Sequence, residues 1–170
     1  MTAQNYSSAN TSINCNKLPT AFSKVRAYGR CLDYGCGKFT AMTKLHVNEQ
    51  GCEYYPYDPY NMDKGTNDAT MYIGKKYGFD TIYCCNVLNV IDDNNTIWNI
   101  LHNMFNMLLP HSRLIIQIYE GNKSGIGKLT KSDCYQRNEK TKDYIGFFGA
   151  FQGVAFTYKI QNNIIIVTKH

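Results

Sequence analysis

Two acids and two asparagines stand where this chain could do chemistry. The stretch Arg30–Phe39, RCLDYGCGKF, is a short apolar run that ends in Asp33 and breaks into Gly35, Cys36 and Gly37. That pattern predicts a buried strand turning sharply into a helix and leaving backbone N–H groups facing a ligand. Asp58, followed by Pro59, closes a second run, CEYYPY, about twenty residues downstream, the spacing of a ribose-binding acid. Asn86, Val87, Leu88 and Asn89 follow a third run, FDTIYCC.

The acids select among ligands. Phosphate wants bare amides and glycines, and a carboxylate at the strand end repels it. Asp33 suits a cationic amine instead, and an acid at the second strand end can take both hydroxyls of a ribose. An adenosine joined to a cationic amine describes S-adenosylmethionine. A dinucleotide fits less well, because Gly37 is followed by Lys38, Phe39 and Thr40 and the third glycine of GxGxxG is missing. Asn86 is placed to contact cofactor or substrate, and Asn89 either one; the alternative is that both cap the exit from the strand. Asp68 reads either as a neighbour of the adenine amino group or as a loop acid.

The elements that must position these residues follow from pattern. A short helix is expected over Leu18–Ala27, and Lys17–Lys24 reads either as a flap closing over the cofactor or as packing on the sheet. Strands are expected at Cys31–Tyr34, Cys52–Tyr57, Ala69–Ile73, Phe79–Asn86 and Arg113–Tyr119. Pro56 puts the second at an edge or exit position. A helix begins at Thr40–Leu45, and another runs Thr96–Leu109 with Ile97, Ile100, Leu101, Met104 and Leu108 on one stripe, stopped by Pro110. Asn61–Asp68 and Glu120–Lys131 read as loops, and a helix is expected within Ser132–Phe148. Gly153–Ile160 and Asn163–Thr168 read as a closing strand pair joined by a turn at Gln161–Asn163. Strands alternating with helices indicate an α/β sandwich. We expect residues 1–16 to be a flexible segment and 17–170 to be one domain.

Composition narrows the class. Lys and Arg number 18 against 13 Asp and Glu, a net charge of +5 that permits a nucleic-acid partner without the clustered stripe that demands one. The seven cysteines include no CxxC pair, so no structural metal is expected, and reduced thiols point to a cytoplasmic setting, or a host's cytoplasm if the source is viral. No apolar run approaches membrane-spanning length.

In order, LDYGCGK, YDPY, FDTIYCCNVLNVIDD and LLPHSRLIIQIY resemble the successive motifs of class I S-adenosylmethionine-dependent methyltransferases. The combination DYGCG, DPY and VLNVI looks most similar to small bacterial and phage methyltransferase-like proteins. The resemblance implies a Rossmann-like, mostly parallel seven-stranded sheet of order 3-2-1-4-5-7-6 with an antiparallel terminal strand. It implies that Asp33, Gly35, Cys36 and Gly37 hold the methionine moiety, that Asp58 with Pro59 holds the ribose, and that Asn86, Val87 and Leu88 border the adenine and the methyl sulfur.

The departures concern catalysis. DNA amino-methylating relatives carry (D/N)PP(Y/F) after the fourth strand, where this chain has Asn86-Val87-Leu88-Asn89; Asp58-Pro59-Tyr60 belongs to strand two. No cysteine follows a proline, and Cys84 and Cys85 read as core. Val90 stands where many small-molecule enzymes place a histidine, so no catalytic base is assigned. The segment 120–150 carries Lys123, Lys128, Lys131, Arg137, Lys140 and Lys142 with Tyr135 and Tyr144 between them and Gly125 and Gly127 as breakers. It reads either as a substrate-clasping segment for nucleic acid or nucleotide or as a solvated loop. Three functions stay open: a nucleic-acid or nucleotide methyltransferase, a small-metabolite methyltransferase, and a non-catalytic S-adenosylmethionine-binding protein.

Overall fold

The apolar runs become strands because their side chains alternate between two covered faces. In the computed structural model, which describes residues 17–131, 134–151 and 153–170, the main sheet is built of β1 (Arg30–Tyr34), β2 (Glu53–Tyr57), β3 (Phe79–Cys85), β4 (Leu108–Gln117), β7 (Phe156–Gln161) and β8 (Ile164–Lys169). A separate hairpin pairs β5 (Lys128–Lys131) with β6 (Cys134–Gln136). The expected flexible segment 1–16 lies outside the described residues.

Leu32, Ile82, Cys84, Leu114 and Ile116 face one side of the sheet, covered by α3 (Lys64–Tyr77), α4 (Asn94–Met107) and a 3-10 segment, Thr141–Phe151. Cys31, Tyr83, Cys85 and Ile115 face the other, under α1 (Thr20–Lys24) and α2 (Ala41–Glu49). The α4 stripe buries Ile97, Leu101 and Met104 completely, each worth about 1.5–3 kcal/mol of transfer free energy. α1 packs rather than standing off as a flap: Phe22 stacks on Tyr83 at 3.9 Å between ring centroids, and the Tyr83 hydroxyl donates to the Val25 carbonyl.

The main sheet has six strands in the order β2-β1-β3-β4-β8-β7, so the expected seventh is absent. What remains is the expected order without its outermost strand. β1, β2, β3 and β4 are parallel, and β8 is antiparallel to both neighbours. The missing strand was expected at Ala69–Ile73, which is instead the middle of α3. Asp63 caps that helix by accepting from the Thr66 amide at 2.9 Å, and Gly78, at φ 71°, ends it. Fourteen capped residues outweigh the local β preference of Met-Tyr-Ile.

The helix expected within Ser132–Phe148 forms only from Thr141. Ser132 and Asp133 lie outside the described residues, Cys134–Gln136 is β6, and Asn138 stands at φ 58°, which a continuing helix does not accommodate. The remainder coils as the 3-10 segment. Among the described residues no helix is long and apolar enough to cross a membrane, and no group of three His, Cys, Asp or Glu could hold a metal ion.

Candidate functional site

The C-terminal ends of β1, β2, β3 and β4 converge, and the predicted site residues meet there. The glycine turn after β1 does not leave its amides open, contrary to the expectation. Gly35 and Cys36 both donate to the Tyr57 carbonyl, at 2.7 and 3.2 Å, and Gly37 donates to Asp58 Oδ2 at 3.0 Å. The glycines serve backbone geometry instead. Both sit at positive φ, 79° and 70°, and a Cβ on Gly35 would overlap the Val87 side chain. The turn after β1 is thereby pressed against the segment after β3.

Asp58 is 1% exposed. Besides Gly37, its carboxylate accepts from the amides of Tyr60 and Asn61 at 2.9 and 3.1 Å. Its own amide and carbonyl are held by the Asn67 side chain of α3. The acid expected at the ribose therefore also staples the turns after β1 and β2, with Pro59 inside the second turn.

Asp33 is 3% exposed. Its Oδ2 accepts from the Tyr54 hydroxyl at 2.7 Å, and Tyr54 lies 3.0 Å from the Thr43 hydroxyl of α2. Among the described residues no lysine or arginine forms an ion pair with it. Burial pushes its carboxyl up to about 6, while the Tyr54 and Thr43 hydroxyls pull it back and nearby Asp58 adds to the rise. A buried carboxylate without a counter-charge is an acceptor suited to a cation. The residues present thus fit the ammonium end of S-adenosylmethionine and offer no open amide cradle to a pyrophosphate.

Asn86 ends β3 in the left-handed region, φ 59°. Its amide donates to the Gln117 carbonyl at 2.8 Å, and its side-chain oxygen accepts from Gln117 Nε2 at 3.4 Å. Gln117 Oε1 in turn accepts from the Ala21 amide at 2.7 Å, so the ends of β3 and β4 are tied to α1. Val87 is half-buried and Leu88 buried, at the start of a 3-10 turn, Leu88–Val90. Asn89 has a structural post: it donates to Gln136 at 3.1 Å and accepts from the Tyr119 amide at 3.4 Å. Tyr54 and Gln117 escaped the sequence reading. The visible signal for Gln117 was a lone amide inside RLIIQIY; nothing in EYYPY singles out Tyr54.

Asp68 is exposed on α3 and paired with Lys64, so it stands on a solvated helix face. Cys84 and Cys85 are buried in β3 and their thiols are pushed up by burial, as is that of half-buried Cys36, which fits packing rather than nucleophilic attack. The described residues of the basic segment after β4 form a roof held by buried side chains. Arg137 is buried and donates to the Ile91 carbonyl, the Asn94 side chain and Glu139, while Tyr144 is fully buried. Neither is on the surface to clasp a ligand. Lys123, Lys128, Lys140 and Lys142 are exposed, Lys123 in an ion pair with Glu120.

Comparisons with known proteins bear on the family and the fold. A family model described as a methyltransferase domain matches residues 7–145. No curated protein matches. Among solved structures, the chain resembles a SAM-dependent methyltransferase of Methanosarcina mazei at TM-score 0.59 and 12% identity, covering 91% of this chain and 98% of that one. It also resembles the Burkholderia thailandensis 1,6-didemethyltoxoflavin-N1-methyltransferase, solved with that substrate and S-adenosylhomocysteine, at TM-score 0.60 and 15% identity, covering 82% and 70%. An S-adenosylmethionine-dependent methyltransferase of Clostridium acetobutylicum matches at TM-score 0.51 and 12% identity, covering 88% and 86%. The chain belongs to the methyltransferase-domain family and is an S-adenosylmethionine-dependent methyltransferase.

Proposed function

We propose that this enzyme methylates a nucleotide or a nucleic-acid base, with Asp33 receiving the cofactor's ammonium and Asp58 its ribose. Asn86, Val87 and Leu88 border the adenine and the sulfonium. The observation that carries the cofactor assignment is the pair of buried carboxylates at the ends of two adjacent parallel strands, beside a glycine turn whose amides are taken up internally. When bound, S-adenosylmethionine supplies an activated methyl on a sulfonium. The chain's own task is to orient the acceptor and keep water out, and alignment alone accounts for much of such a rate. The motifs DYGCG, DPY and VLNVI support placing it beside small bacterial and phage members of the family.

The substrate reading is supported by what the segments after the strand ends expose. Tyr60 follows β2, Tyr119 follows β4, and Ile126 and Leu129 lie further along after β4; all four are large, apolar and exposed, and Lys128 on β5 is exposed as well. Aromatic faces near ammonium groups suit a planar base carrying phosphate. A small metabolite is the second reading, favoured by the burial of Arg137 and Tyr144, which leaves less surface for a long polyanion.

Methyl transfer from labelled S-adenosylmethionine to single-stranded DNA, RNA, mononucleotides and a metabolite panel decides between them. Label in nucleic acid or nucleotide, reduced when Lys128 is changed to Ala, is the expected result. Label only in an uncharged metabolite overturns the substrate assignment, and no turnover with any acceptor despite cofactor binding favours the binding-protein alternative.

A further inference from the structure

Asp33, Tyr54 and Thr43 form a chain of oxygens that ends on the backbone. Tyr54 lies 2.7 Å from Asp33 Oδ2 and 3.0 Å from the Thr43 hydroxyl, which lies 2.9 Å from the Thr40 carbonyl. The chain has three oxygen–oxygen contacts, but each hydroxyl carries one proton. With Asp33 ionised, both hydroxyls can turn toward the carboxylate. With Asp33 protonated, all three contacts hold a proton in one direction, from the acid through Tyr54 and Thr43 to the carbonyl. The two protonation states are therefore both hydrogen-bonded, in opposite senses.

We propose that Tyr54, backed by Thr43, is a positioning residue that makes cofactor binding proton-linked: Asp33 is carried as a neutral acid in the ligand-free protein at mildly acidic pH and ionises when the cofactor's ammonium arrives. The O–H bond of the acid breaks, its proton goes to solvent, and the phenol turns to donate to the new carboxylate. The proposal rests on the reading of Asp33 as the ammonium acceptor. The groups facing Asp33 do not supply another cation. They are Tyr54 on β2, Asp58 after β2, Cys31 on β1, Cys36 after β1 and Cys85 on β3, with Cys84 on the opposite face of the sheet. His46 of α2 faces the Phe22 carbonyl instead, and Lys24 of α1 is exposed. Burial with this tuning leaves Asp33 near 6, where a proton can be lost on binding.

The sign is determined by linkage. Cofactor prefers ionised Asp33, so affinity is full above pH 6 and falls about tenfold per pH unit below it. Calorimetric titration of S-adenosylmethionine from pH 5.0 to 7.5, in two buffers of different ionisation enthalpy, reads the proton directly. In that range the cofactor's own amine, with a pKa of about 7.7 or above, remains mostly charged. Expected is release rising toward one proton per site at the lower end, giving way to a fractional uptake at the upper end, where the partly neutral amine of the free cofactor gains a proton on binding. Tyr54→Phe removes the donor to the carboxylate and should move the midpoint up by about one pH unit. Asp33→Asn should bind weakly and release nothing, a second reading should the phenylalanine variant fail to fold. Affinity independent of pH with no proton released overturns the proposal, as does a Tyr54→Phe loss of equal factor at every pH. Absence of any binding at pH 7.5 would instead sink the cofactor assignment to Asp33 itself.

Discussion

The amide of Gly37 donates to the carboxylate of Asp58 across 3.0 Å, joining the turn after β1 to the turn after β2. Asp58 thus carries two duties. Its removal leaves three backbone amides without their acceptor. Asp58→Ala should lower stability by about 3 kcal/mol, since each unsatisfied buried donor costs roughly 1–3 kcal/mol and water will reach some of them. Asp58→Asn retains an acceptor for Tyr60 and Asn61 and should lose less. Urea denaturation of both variants, read beside their cofactor affinity, separates the staple from the ribose contact.

Gly35→Ala should be strongly destabilising, because the new Cβ meets Val87 at a positive φ of 79°. Adding Val87→Ala clears the overlap but leaves the backbone strain, on the order of 1 kcal/mol. A double-mutant cycle by chemical denaturation should show favourable coupling between the two sites. Simple additivity would mean that the turns are not pressed together.

Asn86 adopts the left-handed conformation that asparagine tolerates better than most residues. Asn86→Gly should preserve the backbone and lose only the Gln117 contact. Asn86→Ala should be less stable than the glycine variant by about 1 kcal/mol. Thermal unfolding ranks the pair, and methyl-transfer kinetics on the glycine variant report what the side chain contributes to function.

Glu120 bolts the roof to the sheet end by accepting from the Thr141 amide and hydroxyl at 2.7 and 2.8 Å. Those bonds, chiefly that from the amide, hold its carboxyl down at about 2, below its ordinary 4.5. A depressed acid contributes its stability above pH 4.5 and loses it as pH falls toward 2. The protection of the Thr141 amide against hydrogen exchange, relative to its intrinsic rate at each pH, should fall in that window in the wild type. In Glu120→Ala, which removes the acceptor, protection should already be low at neutral pH and show no such step.

Much of the scaffold was legible because burial on both faces writes itself into composition. CLDY, FDTIYCC and RLIIQIY were readable as central strands, and Ile97, Leu101 and Met104 marked α4. The failures lay where a short window contradicts a longer-range partner. Met71-Tyr72-Ile73 looks extended until the Asp63 cap and Gly78 stop bracket it as helix. β5 and β6 are two short strands visible only through each other.

The sequence alone determined the order of the central strands and α4, the two acids at neighbouring strand ends and hence the preference for a cationic nucleoside over a phosphate. Charge type and spacing are local properties that survive without coordinates. Only tertiary structure decided what those groups touch. Folding turned the glycine amides inward to Tyr57 and Asp58, placed Tyr54 against Asp33, and buried Arg137 away from the substrate side. Each outcome depends on residues distant in the chain arriving within hydrogen-bond reach, which no periodicity or composition encodes.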